Sequence, residues 1–133
     1  MEKLGPSLKY LRDRTPTRTF SLKTVTEVGI ELLKCLEILH GHGMAHRDLK
    51  PANVLVGTKE RRNRVFLIDF GLSKHITTTE SGVVYPPGKV TGTGLYASIN
   101  AHVHCEEARK ADDIESLIYL LVFLLKGTLP WKF

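Results

Sequence analysis

The chain has 133 residues, of which 42% are hydrophobic and 25% are charged. These proportions are typical of one globular domain or part of one, and they exclude a disordered chain. The formal net charge of +5 favours an anionic partner, but a charged, solvated surface explains it equally well. No apolar run is long enough to cross a bilayer, and residues 1–15 lack the apolar stretch of a secretory signal, so no membrane partner is expected.

The chain contains two cysteines, Cys35 and Cys105, which lie far apart and form no CxxC pair. Such sparse cysteine usage is typical of reducing compartments, where thiols stay free. We therefore expect a cytoplasmic and/or nuclear protein.

Two helices are the first predicted elements. Ser7 can cap a short helix that carries Leu8 and Leu11. A longer helix begins near Ser21 and ends at Gly41. Its buried stripe consists of apolar residues at helical spacing: Leu22, Val25, Val28, Leu32, Leu36 and Leu39.

A hairpin and a further helix follow along the chain. Residues 54–56 and 65–68 are short β candidates, and the charged loop GTKERRNR between them predicts a hairpin. Residues 71–111 show little periodicity, and long irregular segments of this kind are usually functional or disordered. The last helix is predicted over 112–126 and ends at Gly127. From Leu117 onward it is apolar on every side, which predicts that protein surrounds it.

The residues between the long helix and the hairpin form a catalytic motif. Residues 46–53 read HRDLKPAN and match the kinase catalytic-loop pattern H-R-D-L-x-x-x-N at every fixed position. The D-F-G motif follows at 69–71, at the end of an apolar strand. The order, the spacing and the strand placement agree, and several motifs in fixed order rarely arise by chance.

With these motifs the chain resembles a eukaryotic protein kinase. Three further segments are similar to the casein kinase 1 family: LGPSL at 4–8, TGTGLYASIN at 91–100, with SIN in place of the usual A-P-E, and DDIESLIYLLVFLLKGTLPW at 112–131. The resemblance implies an α+β, protein kinase-like fold with a mainly α-helical C-terminal lobe, a short β-hairpin and no N-terminal lobe. Residues 1–133 would form a partial kinase domain with hinge, catalytic loop, D-F-G motif, activation segment and central helix.

The same resemblance implies a serine/threonine protein kinase that uses ATP and Mg²⁺. Asp48 would accept the proton of the substrate hydroxyl, and Lys50 would reach the transferred phosphate. Asn53, which belongs to the catalytic set, and Asp69 would bind the metal as hard oxygen ligands. Thr93, the fourth catalytic residue, would hydrogen-bond to the catalytic aspartate and lysine.

Further residues take supporting roles by resemblance. Glu2 and Leu4 fall where hinge backbone groups contact the adenine of the nucleotide. Leu55 and Ile68 would line the floor of the nucleotide pocket. Asp113 would hold the backbone of the catalytic loop from beneath.

Other parts of the kinase pattern do not occur in these residues. The sequence contains no G-x-G-x-x-G-x-V loop, no V-A-I-K lysine and no paired helix glutamate. Because these groups position the nucleotide phosphates, we expect residues 1–133 alone to be inactive. The alternative function is a pseudokinase-like binding or scaffold module that transfers no phosphate.

The expected partner is a protein with a serine or threonine acceptor, in an acidic or phosphate-primed sequence. No nucleic acid is expected, because the positive charge is not interleaved with aromatic residues. The basic loop at 57–64 favours a solvated hairpin tip over a docking site. Residues 92–97 match a dinucleotide fingerprint only formally, without a clear preceding strand. Two clusters lack zinc spacing: His40, His42 and His46, and His102, His104 and Cys105.

Overall fold

Residues 3–76, 90, 92–105 and 107–132 are described by a computed structural model of the protein. Helices dominate this part of the chain. The four α-helices in it are α1 (Leu8–Asp13), α2 (Leu22–Gly41), α3 (Ile99–Val103) and α4 (Lys110–Lys126). None of the described helices has the length and apolar character needed to cross a membrane.

Local sequence signals fix the ends of the helices. Ser7 caps α1, where its Oγ accepts from the backbone N–H of Tyr10, and Ser21 caps α2 in the same way. Gly127 ends α4 with a positive φ of 82°, a conformation that suits glycine. The helices predicted near Ser7 and Ser21 are confirmed, and α4 begins two residues before its predicted start at Asp112.

Four short strands form two antiparallel pairs. Strand β1 (Met44–Ala45) pairs with β4 (Lys74–His75), and β2 (Val54–Val56) pairs with β3 (Val65–Leu67). The predicted hairpin is confirmed, although its second strand ends one residue early. The β1–β4 pair was not predicted, because two-residue strands show no alternation.

The two faces of the β2–β3 hairpin differ in their surroundings. Val54 and Val65 belong to the hydrophobic core, whereas Leu55 pairs with Phe66 on the opposite face. Residues 3–7 run beside β2. There the N–H of Gly5 donates to Val56 O (2.8 Å), and the N–H of Val56 donates to the carbonyl oxygen of residue 6 (3.0 Å).

The core lies between α2, α4 and the hairpin. Its largest fully buried leucines are Leu8, Leu32, Leu36, Leu117, Leu120, Leu124 and Leu129. The two long helices approach closely at Gly29 of α2, where the residue has no side chain. A Cβ at this position would lie only 3.0 Å from the Leu121 side chain of α4. Within the described residues, protein covers α4 on only some of its faces. Ile118 and Val122 are 54% and 39% exposed, whereas α2 and α3 pack against other parts of the helix.

Candidate active site

The catalytic-loop backbone is held by a carboxylate of α4. Asp113 is 1% exposed, and its two oxygens accept from the N–H groups of His46 (2.8 Å) and Arg47 (2.9 Å). Arg47 has a positive φ of 71°, which is uncommon for a residue with a side chain. The predicted contact of Asp113 with the loop is confirmed. The imidazole of His40 adds a further bond, with Nε2 2.8 Å from Asp113 Oδ2.

His46 joins the loop to the segment that precedes Asp69. Its Nδ1 accepts from the N–H of Asp48 (3.2 Å), and its Nε2 lies 3.0 Å from Ile68 O. Because a carbonyl oxygen only accepts, this network assigns the proton to Nε2 and leaves the imidazole neutral. The ring of Phe70 packs edge-on against His46, with the centroids 5.2 Å apart.

The four predicted catalytic residues meet at one carboxylate. Asp48 Oδ1 accepts from both the backbone N–H and the hydroxyl of Thr93, each at 3.0 Å. Asp48 Oδ2 lies 3.0 Å from Lys50 Nζ and 3.2 Å from Asn53 Nδ2. Lys50 Nζ also donates to the Thr93 hydroxyl (3.1 Å), which closes the predicted Asp48–Lys50–Thr93 network.

These contacts determine the charge of Asp48. Burial raises the pKa of its carboxyl group, but hydrogen bonds from Lys50 and Thr93 outweigh burial and bring the pKa below its usual range. The side chain is 7% exposed, so the lysine is its main counter-charge. Asp48 is therefore an ionised, hydrogen-bonded carboxylate at neutral pH.

A glycine lets residues 92–93 approach the loop. Gly92 has a φ of +87°, and a Cβ there would lie 2.6 Å from Arg47 O and 3.2 Å from Asp48 Oδ1. Any side chain would therefore displace Thr93 from Asp48. Sequence reasoning considered Gly92 only within a dinucleotide fingerprint and His40 only within a possible zinc cluster, and it gave neither residue a contact with the catalytic loop. The glycines in TGTG at 91–94 could have indicated the close approach at Gly92. Nothing in the sequence indicated the contact of His40 with Asp113.

The two predicted metal ligands lie at the start and end of the hairpin. Asn53 Nδ2 donates to Asp48 O (2.9 Å), which leaves the amide oxygen of this buried residue available as a ligand. Asp69 is exposed, with a φ of +61°, and its Oδ1 accepts from the N–H of Gly71 (3.3 Å). No direct bond joins the two side chains, but the N–H of Ile68 donates to Asn53 O (2.9 Å).

Such a donor set fits Mg²⁺ that is shared with phosphates. An amide oxygen and a carboxylate are hard ligands, and Mg²⁺ commonly takes only one or two protein ligands besides phosphates and water. Among the described residues, no group of three or more His, Cys, Asp or Glu side chains could hold a metal ion by itself.

The predicted nucleotide-contacting residues occupy the outer face of the hairpin. Leu55 and Ile68 are half-buried there, on the side of Phe66 and away from the core. Leu4 is half-buried in the segment beside β2. Glu2 lies outside the described residues.

The mainly helical fold and the hydrogen-bonded Asp48 network agree with the kinase-like fold that the motifs predicted. A comparison with known families matches residues 4–133 to the protein kinase domain, and the chain therefore belongs to that family. The prediction of a kinase with a kinase-like fold is confirmed at this level. Protein kinases act on protein substrates and generally use ATP and Mg²⁺.

Proposed function

We propose that this kinase domain is a serine/threonine protein kinase of the casein kinase 1 kind, which transfers the γ-phosphate of Mg²⁺-bound ATP to a protein hydroxyl. The observation that carries the proposal is the carboxylate of Asp48, which Lys50, Asn53 and Thr93 hold in one orientation. The catalytic, nucleotide and metal roles assigned below belong to this proposal.

In the proposed reaction, the substrate hydroxyl oxygen forms a bond to the γ-phosphorus while the bond to the β–γ bridging oxygen breaks, and ADP leaves. The hydroxyl proton passes to Asp48 as the new bond forms. Lys50 neutralises charge on the transferred phosphoryl oxygens. Bound Mg²⁺ supplies charge neutralisation for the phosphates, and Asn53 and Asp69 would hold it. Leu55 and Ile68 supply apolar contacts for the base, and the backbone at Glu2 and Leu4 contacts the adenine.

A basic cavity beside Lys50 and Thr93 supports an acidic or phosphate-primed substrate. It has a volume of about 660 Å³. Its charged lining consists of Lys9, Arg12, Arg18, Lys50 and Lys132, with Asp13 as the carboxylate among them. This charge excess favours carboxylates or phosphate groups near the acceptor hydroxyl.

Arg12 is the most deeply buried of these cations. Its side chain is 8% exposed, stacks over the ring of Phe123 at 4.2 Å and donates from Nη2 to Gly127 O (2.7 Å). Its Nε has no hydrogen-bond partner among the described residues. Its Nη1 lies 3.6 Å from Asp13 Oδ1, so part of its charge is already paired, and the positive excess of the cavity comes from the other cations of the lining.

Steady-state kinetics test the proposed function. Residues 1–133 are joined to a kinase amino-terminal lobe that supplies the glycine-rich loop and the strand lysine. Asp48→Asn is expected to lower kcat by about 10²–10⁴-fold with little change in the KM for ATP. Asp69→Asn is expected to lower kcat and also to raise the KM for Mg²⁺-ATP, because it removes a metal ligand.

The matched control is Glu37→Gln, an amide substitution of an exposed carboxylate on α2, which should leave both constants unchanged. If all four proteins turn over alike, or if none binds Mg²⁺-ATP, the catalytic proposal is wrong. In that case the pseudokinase-like scaffold takes its place.

A further inference from the structure

A groove at the tip of the β2–β3 hairpin lies away from the proposed catalytic residues. It has a volume of about 600 Å³ and is bounded by α1, the first half of α2 and the hairpin tip. Asn53 and Ile68 flank the other end of the hairpin. At about 3.3 Å per residue, the three-residue strands separate the two ends by about 10 Å.

The floor of this tip groove is apolar. Leu8, Val28 and Val65 lie at its base as core residues, and the half-buried Leu11 and Phe20 form its sides. A ligand side chain placed here would remove apolar surface of the protein from water as well as its own. The tip groove therefore suits an aliphatic or aromatic side chain.

The rim of the tip groove carries uncompensated positive charge. Glu31 on the rim is already matched by Lys34 (2.9 Å) and by Arg64 (3.7 Å). The rim cations Lys23 and Arg62 are exposed and form no ion pair with any described residue. Glu27 is the opposing rim carboxylate.

The hairpin loop that carries the rim residues Arg62 and Arg64 adds Lys59 and Arg61 to this positive charge, against Glu60. Residues 57–64, GTKERRNR, contain four basic residues and one acidic residue. A segment that crosses the rim would therefore gain from carboxylates on either side of its apolar anchor, because their charges complement the exposed cations.

We propose that the tip groove docks an acidic peptide segment of a protein partner, with an apolar side chain on the floor and carboxylates against Lys23 and Arg62. This assigns a role to the basic loop, for which the sequence alone favoured a solvated tip. A partner bound here could be held about 10 Å or more from the catalytic loop without occupying it.

Fluorescence anisotropy with a labelled Glu-Glu-Leu-Glu-Leu-Glu-Glu peptide tests the proposal at low salt. The double variant Lys23→Glu/Arg62→Glu should weaken binding by about 10-fold or more, because both rim contacts become repulsive. The matched control Lys110→Glu/Lys126→Glu makes the same change of four charge units at the two exposed ends of α4, outside the tip groove. It should bind like the unchanged protein.

The peptide tests the floor without altering the fold. Replacing both leucines of the peptide by serine should weaken binding by about 10- to 100-fold, because apolar burial is lost. Asp48→Asn should bind the leucine peptide normally, which separates this proposal from the catalytic one. Equal binding of the serine peptide, equal loss with Lys110→Glu/Lys126→Glu, or no binding of the leucine peptide at millimolar concentration would overturn the proposal. Tighter binding of a single-stranded DNA, lost in the same double variant, would assign the tip groove to nucleic acid instead.

Discussion

Asp48 receives hydrogen bonds from groups on two separate segments of the chain, the catalytic loop and residue 93. Its orientation is therefore fixed before any substrate arrives. Because its pKa is lowered, the carboxylate is a weak base, and its proposed contribution is to orient the hydroxyl more than to remove its proton early. In a loose phosphoryl-transfer transition state the bond to the attacking hydroxyl is little formed, so early removal of the hydroxyl proton contributes little.

The basic cavity gives a prediction about Arg18. This residue is exposed, so Arg18→Gln should leave the fold intact. In residues 1–133 joined to a kinase amino-terminal lobe, we expect the KM for a phosphoserine peptide to rise by roughly 5- to 30-fold, as the loss of one charged contact of 1–2 kcal/mol implies. The value of kcat should not change.

Steady-state kinetics with a phosphoserine peptide and its serine counterpart measure this effect. Lys126→Gln, which removes an equal charge outside the cavity, serves as the control. An equal rise in KM for both peptides would show that Arg18 does not recognise an anion.

Residues within one short motif could be predicted from the sequence, because their spacing along the chain fixes their spacing in the loop. Asp48, Lys50 and Asn53 belong to this group. The contacts of His40 with Asp113 and of Gly92 with Arg47 join segments far apart in the chain. No local pattern records such contacts, which depend on how α2, α4 and the loop pack.

At the scale of elements, the SIN segment is fastened to the first turn of α4. Ser98 is fully buried, caps α3 and donates from its hydroxyl to Asp112 Oδ1 (2.8 Å). Asn100 Nδ2 reaches Asp112 Oδ2 (3.4 Å), and Arg109 donates to both carboxylate oxygens (3.0 and 2.8 Å). Ser98 and Asn100, which belong to the SIN segment in place of the usual A-P-E motif, thus join α3 to α4 through the carboxylate of Asp112.

This link predicts a pH dependence of stability. Burial raises the pKa of Asp112, but bonds from Arg109 and Ser98 outweigh burial and lower it below the usual value. Since the unfolded-state pKa is about 3.9, ionised Asp112 stabilises the fold above about pH 4, and this stabilisation is lost as the pH falls through the lower folded-state pKa. We expect Asp112→Asn to reduce the free energy of unfolding at pH 7 by about 1–3 kcal/mol.

Urea unfolding of both proteins between pH 7 and pH 3 measures the effect. The stability difference should be constant down to about pH 4 and shrink below it. Glu37→Gln, at an exposed position on α2, should show no such trend. A difference that grows at acid pH would contradict this account of Asp112.

The long elements could be predicted because their apolar residues repeat at helical spacing, and Ser7 and Ser21 mark where helices begin. The pairing of β1 with β4 could not, because each strand has two residues and its partner lies far along the chain. Which face of α4 is exposed could not be predicted either, for another reason. A helix that is apolar all round carries no information about which face a neighbour covers.

At the scale of the molecule, the two long helices leave apolar side chains in solvent. Those that are exposed by more than a third are Leu22, Ile30, Leu33 and Ile38 on α2, and Ile118 and Val122 on α4. Single exposed apolar residues are ordinary, but six on two packed helices favour self-association and the binding of apolar ligands.

We therefore expect residues 1–133 to bind a hydrophobic dye or to self-associate while they remain helical. The double variant Ile38→Lys/Ile118→Lys should reduce dye fluorescence and self-association, because it places charge at two residues that are 65% and 54% exposed. Leu120→Lys is the matched contrast, since Leu120 is fully buried and the charge should cost roughly 3 kcal/mol or more of stability. Dye fluorescence, sedimentation and circular dichroism measure the three properties. A monodisperse monomer that binds no dye and unfolds cooperatively would contradict the expectation, because it would show that the exposed side chains do not act as an apolar surface.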